Sequence, residues 1–115
     1  MTASIVTQIQ AYLAGRLPLA ELLDAILDHT WWVAHDGDEA YAYYDSEEVG
    51  FLAVYSGPGL AADFDWQQWD AARLLRELRD NPDLGVVFDY SYEWATNFRP
   101  NQVRVLVDAL AARSA

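Results

Sequence analysis

The side chains that could carry acid–base or nucleophilic chemistry are few in this chain and poorly spaced for it. Its two histidines, His29 and His35, are six residues apart, which fits neither a helical pair of metal ligands nor a zinc-protease motif. Ser56 lies in Tyr-Ser-Gly-Pro-Gly, which is not the Gly-x-Ser-x-Gly turn of a serine hydrolase. The sequence contains no cysteine, so thiol catalysis, disulfides and cysteine-bound zinc are excluded. We therefore expect no catalytic residue; we expect His29 to contact the C-terminal end of a helix and His35 to interact with a hairpin.

The segment 36–39, Asp-Gly-Asp-Glu, begins like a calcium-binding loop of the EF-hand type. Such a loop needs oxygen ligands at its first, third and fifth positions, glycine at the sixth and glutamate at the twelfth. In this frame Glu47 matches the twelfth position, but Ala40 and Tyr41 occupy the fifth and sixth. An Asp-Gly hairpin turn with solvated carboxylates explains the segment better, so we expect no metal site.

Neighbouring carboxylates occur in three places: Asp36/Asp38, Glu47/Glu48 and Asp63/Asp65. A pair of acids cleaves a glycosidic bond only if one of them is buried, because burial raises its pKa and keeps it protonated. Acids beside glycine and serine in turns are usually solvated, so this pattern favours surface charge. The segment 57–59, Gly-Pro-Gly, has neither the lysine nor the glycine spacing of a phosphate-binding loop, and we expect no cofactor.

Hydrophobic periodicity and turn residues divide the chain into eight elements in the order ααβββαβα. Apolar residues three and four apart predict helices at 3–14, 18–27, 65–80 and from Pro100 onward. In the third helix, Asp65 and Gln68 have the spacing of a capping box. Runs of β-branched and aromatic residues predict strands at 30–34, 40–44, 51–55 and 85–90, and residues 92–99 have no regular pattern. The fold class that follows is α+β, a small, largely antiparallel sheet packed with helices in one domain over residues 1–115; whether the first helix, within 1–16, is peripheral is left open.

The aromatic content is high, with five tryptophans and seven tyrosines, which is more than a core of this size needs. Alternation along the predicted strands places Trp31 and Trp32 on opposite faces of the sheet, and Tyr41 and Tyr43 on the same face as each other. One interpretation is a sheet covered on both sides, with every ring in a core. The other leaves some rings at the surface, where tyrosine and tryptophan anchor protein interfaces.

The charge is large and unevenly distributed. Asp and Glu total 18 against seven Arg and no Lys, which gives a net charge of −11. Residues 17–72 hold twelve acids and no basic residue, whereas residues 73–115 hold six acids and six arginines. Phosphates are bound through Lys and Arg, so we expect neither nucleic acid nor an anionic membrane as a partner. There is no apolar run long enough to span a bilayer and no signal-peptide pattern, so we expect a cytoplasmic protein.

Four short stretches stand at the boundaries of the predicted elements: 31–33 (Trp-Trp-Val), 54–58 (Val-Tyr-Ser-Gly-Pro), 84–89 (Leu-Gly-Val-Val-Phe-Asp) and 98–103 (Phe-Arg-Pro-Asn-Gln-Val). Together with the order of the elements, they resemble the N-terminal domain of the SseB family of small bacterial proteins, over residues 17–112. The resemblance implies an α+β fold and a non-enzymatic interaction role, and it supplies no catalytic residues.

We therefore expect a non-catalytic acidic module that binds a basic protein partner, as an immunity protein or inhibitor, an adaptor or a chaperone does. The contact residues we expect are acids and neighbouring aromatics: Trp32, Asp36, Asp38, Glu39, Tyr41, Tyr43, Glu47, Glu48, Asp63, Asp65 and Trp66. An alternative from another class is a small-ligand-binding domain or hydrolase, with a pocket lined by Trp31, His35, Tyr44 and Asp63. Self-association as a homo-oligomer, through the aromatic face or the first helix, is a third alternative, and the charge could serve solubility alone.

Overall fold

The computed structural model describes residues 4–61 and 65–114, and within them four helices lie against one face of a mixed seven-stranded sheet. The helices are α1 (Ile5–Leu13), α2 (Leu19–Leu27), α3 (Ala71–Asp80) and α4 (Pro100–Ser114). The strands are β1 (Thr30–Asp36), β2 (Glu39–Ala40), β3 (Ala42–Tyr44), β4 (Gly50–Tyr55), β5 (Asp65–Asp70), β6 (Gly85–Phe88) and β7 (Thr96–Phe98). This is the predicted α+β class, and the order of elements is the predicted one apart from β5, β7 and the division of the predicted second strand into β2 and β3.

The first helix, which apolar spacing predicts at 3–14, is α1 (Ile5–Leu13). The Ser4 hydroxyl accepts a hydrogen bond from the Thr7 amide at 3.2 Å, which satisfies one of the free N–H groups at the start of α1. Gly15 follows α1 with a φ of 77°, a left-handed conformation that glycine adopts without steric cost. The Tyr12 ring stacks on Phe98 with the centroids 6.1 Å apart, and the inner side of α1 lies in the main core. The helix is therefore packed on the sheet layer.

The prediction that a helix begins at Asp65 is wrong. Residues Asp65–Asp70 form β5, which pairs antiparallel with β1 over six residue pairs. The helix begins after Asp70, whose carboxylate accepts a hydrogen bond from the Arg73 amide at 2.8 Å. Asp65 and Gln68 have the same spacing as Asp70 and Arg73, so the local pattern cannot distinguish the two starts. Pairing with β1 decides between them.

A fork in the middle of the sheet explains why the predicted second strand is split. β1 and β4 pair antiparallel at only two positions and then diverge. β2 continues along β1, and β3 continues along β4, so the chain turns at Tyr41 between them. The Tyr41 amide donates to the Ala34 carbonyl at 2.8 Å, and the Tyr41 carbonyl accepts from the Ala53 amide at 3.2 Å. The β1–β2 turn and the β3–β4 turn consequently lie at the same end of the sheet.

Beyond β4 the sheet continues with β6, which is parallel to β4, and ends with β7, which is antiparallel to β6. The predicted strand at 85–90 ends at Phe88, because Asp89 takes a positive φ of 57° that a regular strand cannot accommodate. The prediction that residues 92–99 are irregular is wrong for their last part, since Thr96–Phe98 forms β7. A three-residue strand carries too little alternation to be recognised before its pairing is known.

The two faces of the sheet contribute to different hydrophobic clusters. On one face, alternate strand residues such as Trp31, Val33 and Val54 pack with all four helices in the main core. The opposite face carries a smaller cluster of strand and loop residues: Ala34, Phe51, Ala53, Tyr55, Ala61 and Val87. No described helix residue belongs to that second cluster, which is bordered by half-buried aromatic rings. We call this side of the sheet the helix-free face.

Candidate functional site

Seven carboxylates from three separate segments lie at one end of the sheet. The segments are the β1–β2 turn, the β3–β4 turn and the beginning of β5, and the strand registers place them at the same end. We call this set the acidic end: Asp36, Asp38, Glu39, Asp45, Glu47, Glu48 and Asp65. All of them except Asp45 are exposed. The structure thus brings together six of the predicted contact residues, whereas the seventh predicted carboxylate, Asp63, lies outside the described residues.

The β3–β4 turn is held by Asp45, which sequence reasoning did not single out. Its Oδ1 accepts hydrogen bonds from the amides of Glu47 and Val49, both at 2.9 Å, which is how aspartate commonly stabilises a turn. The Arg99 guanidinium lies 3.1 Å from the Glu47 carboxylate and 3.6 Å from that of Asp45. Among the described residues, Arg99 is the one cation in an ion pair with the acidic end. Seven carboxylates against one guanidinium leave this surface strongly negative.

Aromatic rings lie beside the acidic end on the helix-free face. Trp32, Tyr41 and Tyr43 are half-buried and pack around the second cluster. Trp66 pairs directly with Ala34, and opposed residues of neighbouring strands point to the same face, so Trp66 also lies on this side. Its side chain is 49% exposed. All four predicted aromatic contact residues therefore share one face of the sheet.

The loop between β6 and β7 adds three aromatic residues that sequence reasoning missed: Tyr90, Tyr92 and Trp94. The Tyr90 ring lies 6.1 Å from that of Tyr41 and 5.2 Å from that of Tyr43. The Tyr92 ring stacks on Trp94 at 4.8 Å, and the Tyr92 hydroxyl donates to the Leu60 carbonyl at 2.9 Å. The signal that could have found them is their density, three aromatic residues within a short segment without periodicity.

Among the described residues, the Tyr90 hydroxyl is the titratable group whose pKa is clearly shifted. Burial raises its pKa above the usual value for tyrosine, and a hydrogen bond with Tyr41 raises it further. The neighbouring phenols of Tyr41 and Tyr43 also disfavour a negative charge at this position. Tyr90 therefore stays neutral even in mildly alkaline solution and can donate a hydrogen bond.

Asp89 is buried and ties the β6–β7 loop to the end of β4. Its carboxylate accepts hydrogen bonds from the Ser56 amide at 2.7 Å, the Ser56 hydroxyl at 2.8 Å and the Trp94 indole N–H at 2.8 Å. Its own amide donates to the Val54 carbonyl at 2.7 Å. Both carboxylate oxygens are engaged within the protein, so Asp89 acts as a structural anchor for the aromatic loop.

The two histidines bond to backbone carbonyls. His29 Nε2 donates to the Ser56 carbonyl at 2.6 Å, so this side chain contacts the end of β4. The sequence leads us to expect a contact with the C-terminal end of α2 instead. His35 lies in the β1 arm of the hairpin, but its buried ring turns into the main core. There Nδ1 donates to the Val33 carbonyl at 2.9 Å, and the ring meets Trp69 edge-on. The Ser56 hydroxyl itself donates to Asp89 and not to His29, whereas nucleophilic catalysis requires a hydrogen bond between the hydroxyl and its base.

The described residues do not assemble the aromatic pocket of the alternative interpretation. Trp31 is fully buried against Phe88 in the main core, whereas Tyr44 is 64% exposed at the end of β3. Three surface grooves between described elements are lined by other residues than Trp31, His35 and Tyr44. In residues 4–61 and 65–114, no three side chains of His, Asp or Glu form a group that could hold a metal ion. The helices of the same ranges are too short or too polar for any of them to cross a membrane.

No protein-family model, curated protein or solved structure matches this chain. The resemblance to the SseB family therefore stays a prediction. What the chain does has to be argued from the geometry of the acidic end and of the helix-free face beside it.

Proposed function

We propose that this chain is a non-catalytic protein-binding module of the cytoplasm that recognises a basic protein partner through the acidic end and the adjoining helix-free face. The observation that carries the proposal is the convergence of carboxylates from the β1–β2 turn, the β3–β4 turn and β5. Charge that served only solubility could be spread over the whole surface. Here strand pairing concentrates it at one end.

The exposure of the acidic end suits the capture of a basic surface. Six of its seven carboxylates are exposed, so each contributes to the electrostatic field that a partner meets before contact. Such a field raises the association rate of an oppositely charged protein, and added salt weakens it by screening. We therefore expect fast, salt-sensitive association.

The aromatic rings beside the acidic end supply the contact area that charge alone does not. Trp66 is half exposed on the helix-free face and lies one residue after Asp65, so this anchor ring stands at the border of the acidic end although the two side chains point to opposite faces of the sheet. Tryptophan and tyrosine carry a large share of the binding energy in protein interfaces, while peripheral charges contribute mainly to rate and specificity. A partner with exposed arginine or lysine around an apolar patch fits this combination.

The test compares two triple variants that remove the same amount of negative charge. The acidic-end variant carries Asp36→Asn, Asp38→Asn and Glu39→Gln, and the control carries Glu21→Gln, Asp28→Asn and Asp108→Asn at exposed positions on or beside the helices. Each chain is immobilised, incubated with lysate of the native cells and eluted with rising salt. If each carboxylate contributes about 0.5 kcal/mol, the acidic-end variant binds about tenfold more weakly.

Support for the proposal is a basic protein that the wild-type chain and the control variant retain, that the acidic-end variant loses, and that salt releases. Equal loss in both variants would mean that net charge alone is responsible. Equal retention by both, or the absence of any basic protein from the eluate, would contradict the proposed surface.

A further inference from the structure

β5 is an edge strand whose outer side no described residue pairs with. Among the described strands it is hydrogen-bonded to β1 alone, and its residues 65–68 are all exposed. An open edge presents unpaired N–H and C=O groups that another strand can bind. Natural proteins commonly protect such edges with lysine, proline or a bulge, and Asp-Trp-Gln-Gln-Trp-Asp contains neither lysine nor proline.

The pairing of β1 shows which backbone groups of β5 face outward. The Ala34 carbonyl accepts a hydrogen bond from Tyr41 on the β2 side. Backbone groups alternate in direction along a strand, so Val33 and His35 direct theirs towards β5. Gln67 and Asp65, which lie opposite Val33 and His35, therefore bond to β1. The N–H and C=O groups of Trp66 and Gln68 point away from the sheet.

We propose that β5 pairs antiparallel with β5 of a second copy of this chain, about a two-fold axis that passes through Gln67. In this register Trp66 of each copy faces Gln68 of the other, and each such pair exchanges two backbone hydrogen bonds through its outward groups. The two sheets then form one continuous sheet, and the exposed edges of both copies are removed.

Charge complementarity singles out a second copy as the occupant of this edge. The same register places Asp65 of one copy opposite Trp69 of the other, on the face that carries the helices. The Arg73 guanidinium lies 4.4 Å from the centroid of the Trp69 ring, so Asp65 of each copy meets Arg73 of the other. Antiparallel pairing also sets the two acidic ends at opposite ends of the dimer, whereas parallel pairing would bring them together.

The two charged residues do not form an ion pair within one copy. The Arg73 guanidinium packs on the Trp69 ring, and the ion pairs among the described residues are Arg79–Asp80, Arg99–Asp45, Arg99–Glu47 and Arg113–Asp24. An exchange of the charges of Asp65 and Arg73 therefore reports on contacts between copies.

The experiment is sedimentation equilibrium from micromolar to millimolar concentration, with circular dichroism to confirm that each variant is folded. We expect the wild-type mass to rise reversibly from 13.0 kDa towards twice that value. Asp65→Arg and Arg73→Asp should each raise the dissociation constant at least about tenfold, and the double variant should return it to within about threefold of wild type. Gln68→Pro removes an outward N–H and should abolish dimerisation, whereas Gln68→Ala keeps that group and should not.

Two results together would support the proposal: the double charge exchange restores dimerisation, and Gln68→Pro abolishes it. A wild-type chain that stays monomeric at every concentration would overturn it. So would a double variant that dimerises no better than the single ones, or a Gln68→Pro chain that dimerises like wild type. The dimer does not require the proposed function: the β1–β2 and β3–β4 turns remain exposed in it, and only Asp65 and Trp66 of β5 belong to both surfaces.

Discussion

Replacing the buried Asp89 tests whether its carboxylate anchors the aromatic loop. In Asp89→Asn, the amide oxygen can still accept from the Ser56 backbone amide, but an NH₂ group replaces the oxygen that accepts from the Ser56 hydroxyl and the Trp94 indole. The serine hydroxyl can rotate and accept from the new NH₂ group. The indole N–H is a donor only and loses its partner.

The size of the effect follows from the number of bonds that each variant loses. A hydrogen bond to a charged group contributes about 1.5–3 kcal/mol. Because Trp94 is partly exposed, its indole N–H can bond to water in the variant. We therefore expect Asp89→Asn to lower the free energy of unfolding by about 2 kcal/mol. Asp89→Ala loses all three bonds and places alanine at a positive φ, so we expect a loss of about 4 kcal/mol. Ser56→Ala, which removes the hydroxyl bond alone, should cost about 1 kcal/mol.

Urea unfolding followed by circular dichroism and tryptophan fluorescence measures all three variants. The order of stability should be wild type, Ser56→Ala, Asp89→Asn and Asp89→Ala. If Asp89→Asn lies within about 0.5 kcal/mol of wild type, or if Asp89→Ala costs no more than Ser56→Ala, then the carboxylate does not hold the loop as described.

Two further predictions concern backbone packing and pH. Gly85→Ala should destabilise the fold by more than about 3 kcal/mol, because its Cβ would lie 2.4 Å from the Phe98 carbonyl oxygen, whereas Gly57→Ala, with 3.6 Å to its nearest neighbour, should be almost neutral. Thermal melts compare the two, and equal melting temperatures would contradict the close approach of β6 and β7. Because the pKa of Tyr90 is raised in the folded state, the stability it contributes below its unfolded pKa is lost as pH rises through the folded pKa. Urea midpoints above about pH 10 should therefore fall more steeply for wild type than for Tyr90→Phe, and parallel curves would refute this.

The elements that the sequence predicts well are those whose signals are local. Gly15 follows the end of α1 as expected, and the hairpin after β1 lies at the predicted place, with Gly37 and Asp38 as its two turn residues and Asp36 paired with Glu39. Pro100 begins the last helix, where apolar spacing of three and four residues predicts it. Caps, turns and periodicity act within a few residues, so they can be recognised before any tertiary contact is known.

The elements that the sequence does not predict depend on pairing between distant segments. β5 has a helix-like spacing of its tryptophans, and only its partner β1 shows that Trp66 and Trp69 lie on opposite faces. The turn of the chain at Tyr41 results from the divergence of β1 and β4, for which no local residue pattern exists. Tertiary pairing overrides local propensity in both places.

The candidate site could be predicted only in its parts. Alternation identifies Tyr41 and Tyr43 as neighbours on one face, and the list of acids can be read from the chain. The meeting of Asp36, Glu47 and Asp65 at one end depends on strand register, which composition does not contain. The burial of Asp89 was missed because its φ and its three donors are properties of the assembled loop.

Several strands of the sheet pair with strands that are distant in sequence, and this affects how the chain folds. β4 pairs with β6, so that Phe51 lies opposite Gly85, and the second edge of β1 is paired only when β5 has been added. Sheets built from such distant pairings fold slowly, since the loops must close before the contacts form. During synthesis the first hairpin can form early, but the centre of the sheet is completed only after residue 88 has left the ribosome. Until then the edges of β1 and β4 are open, and this is the interval in which a nascent chain is most exposed to aggregation.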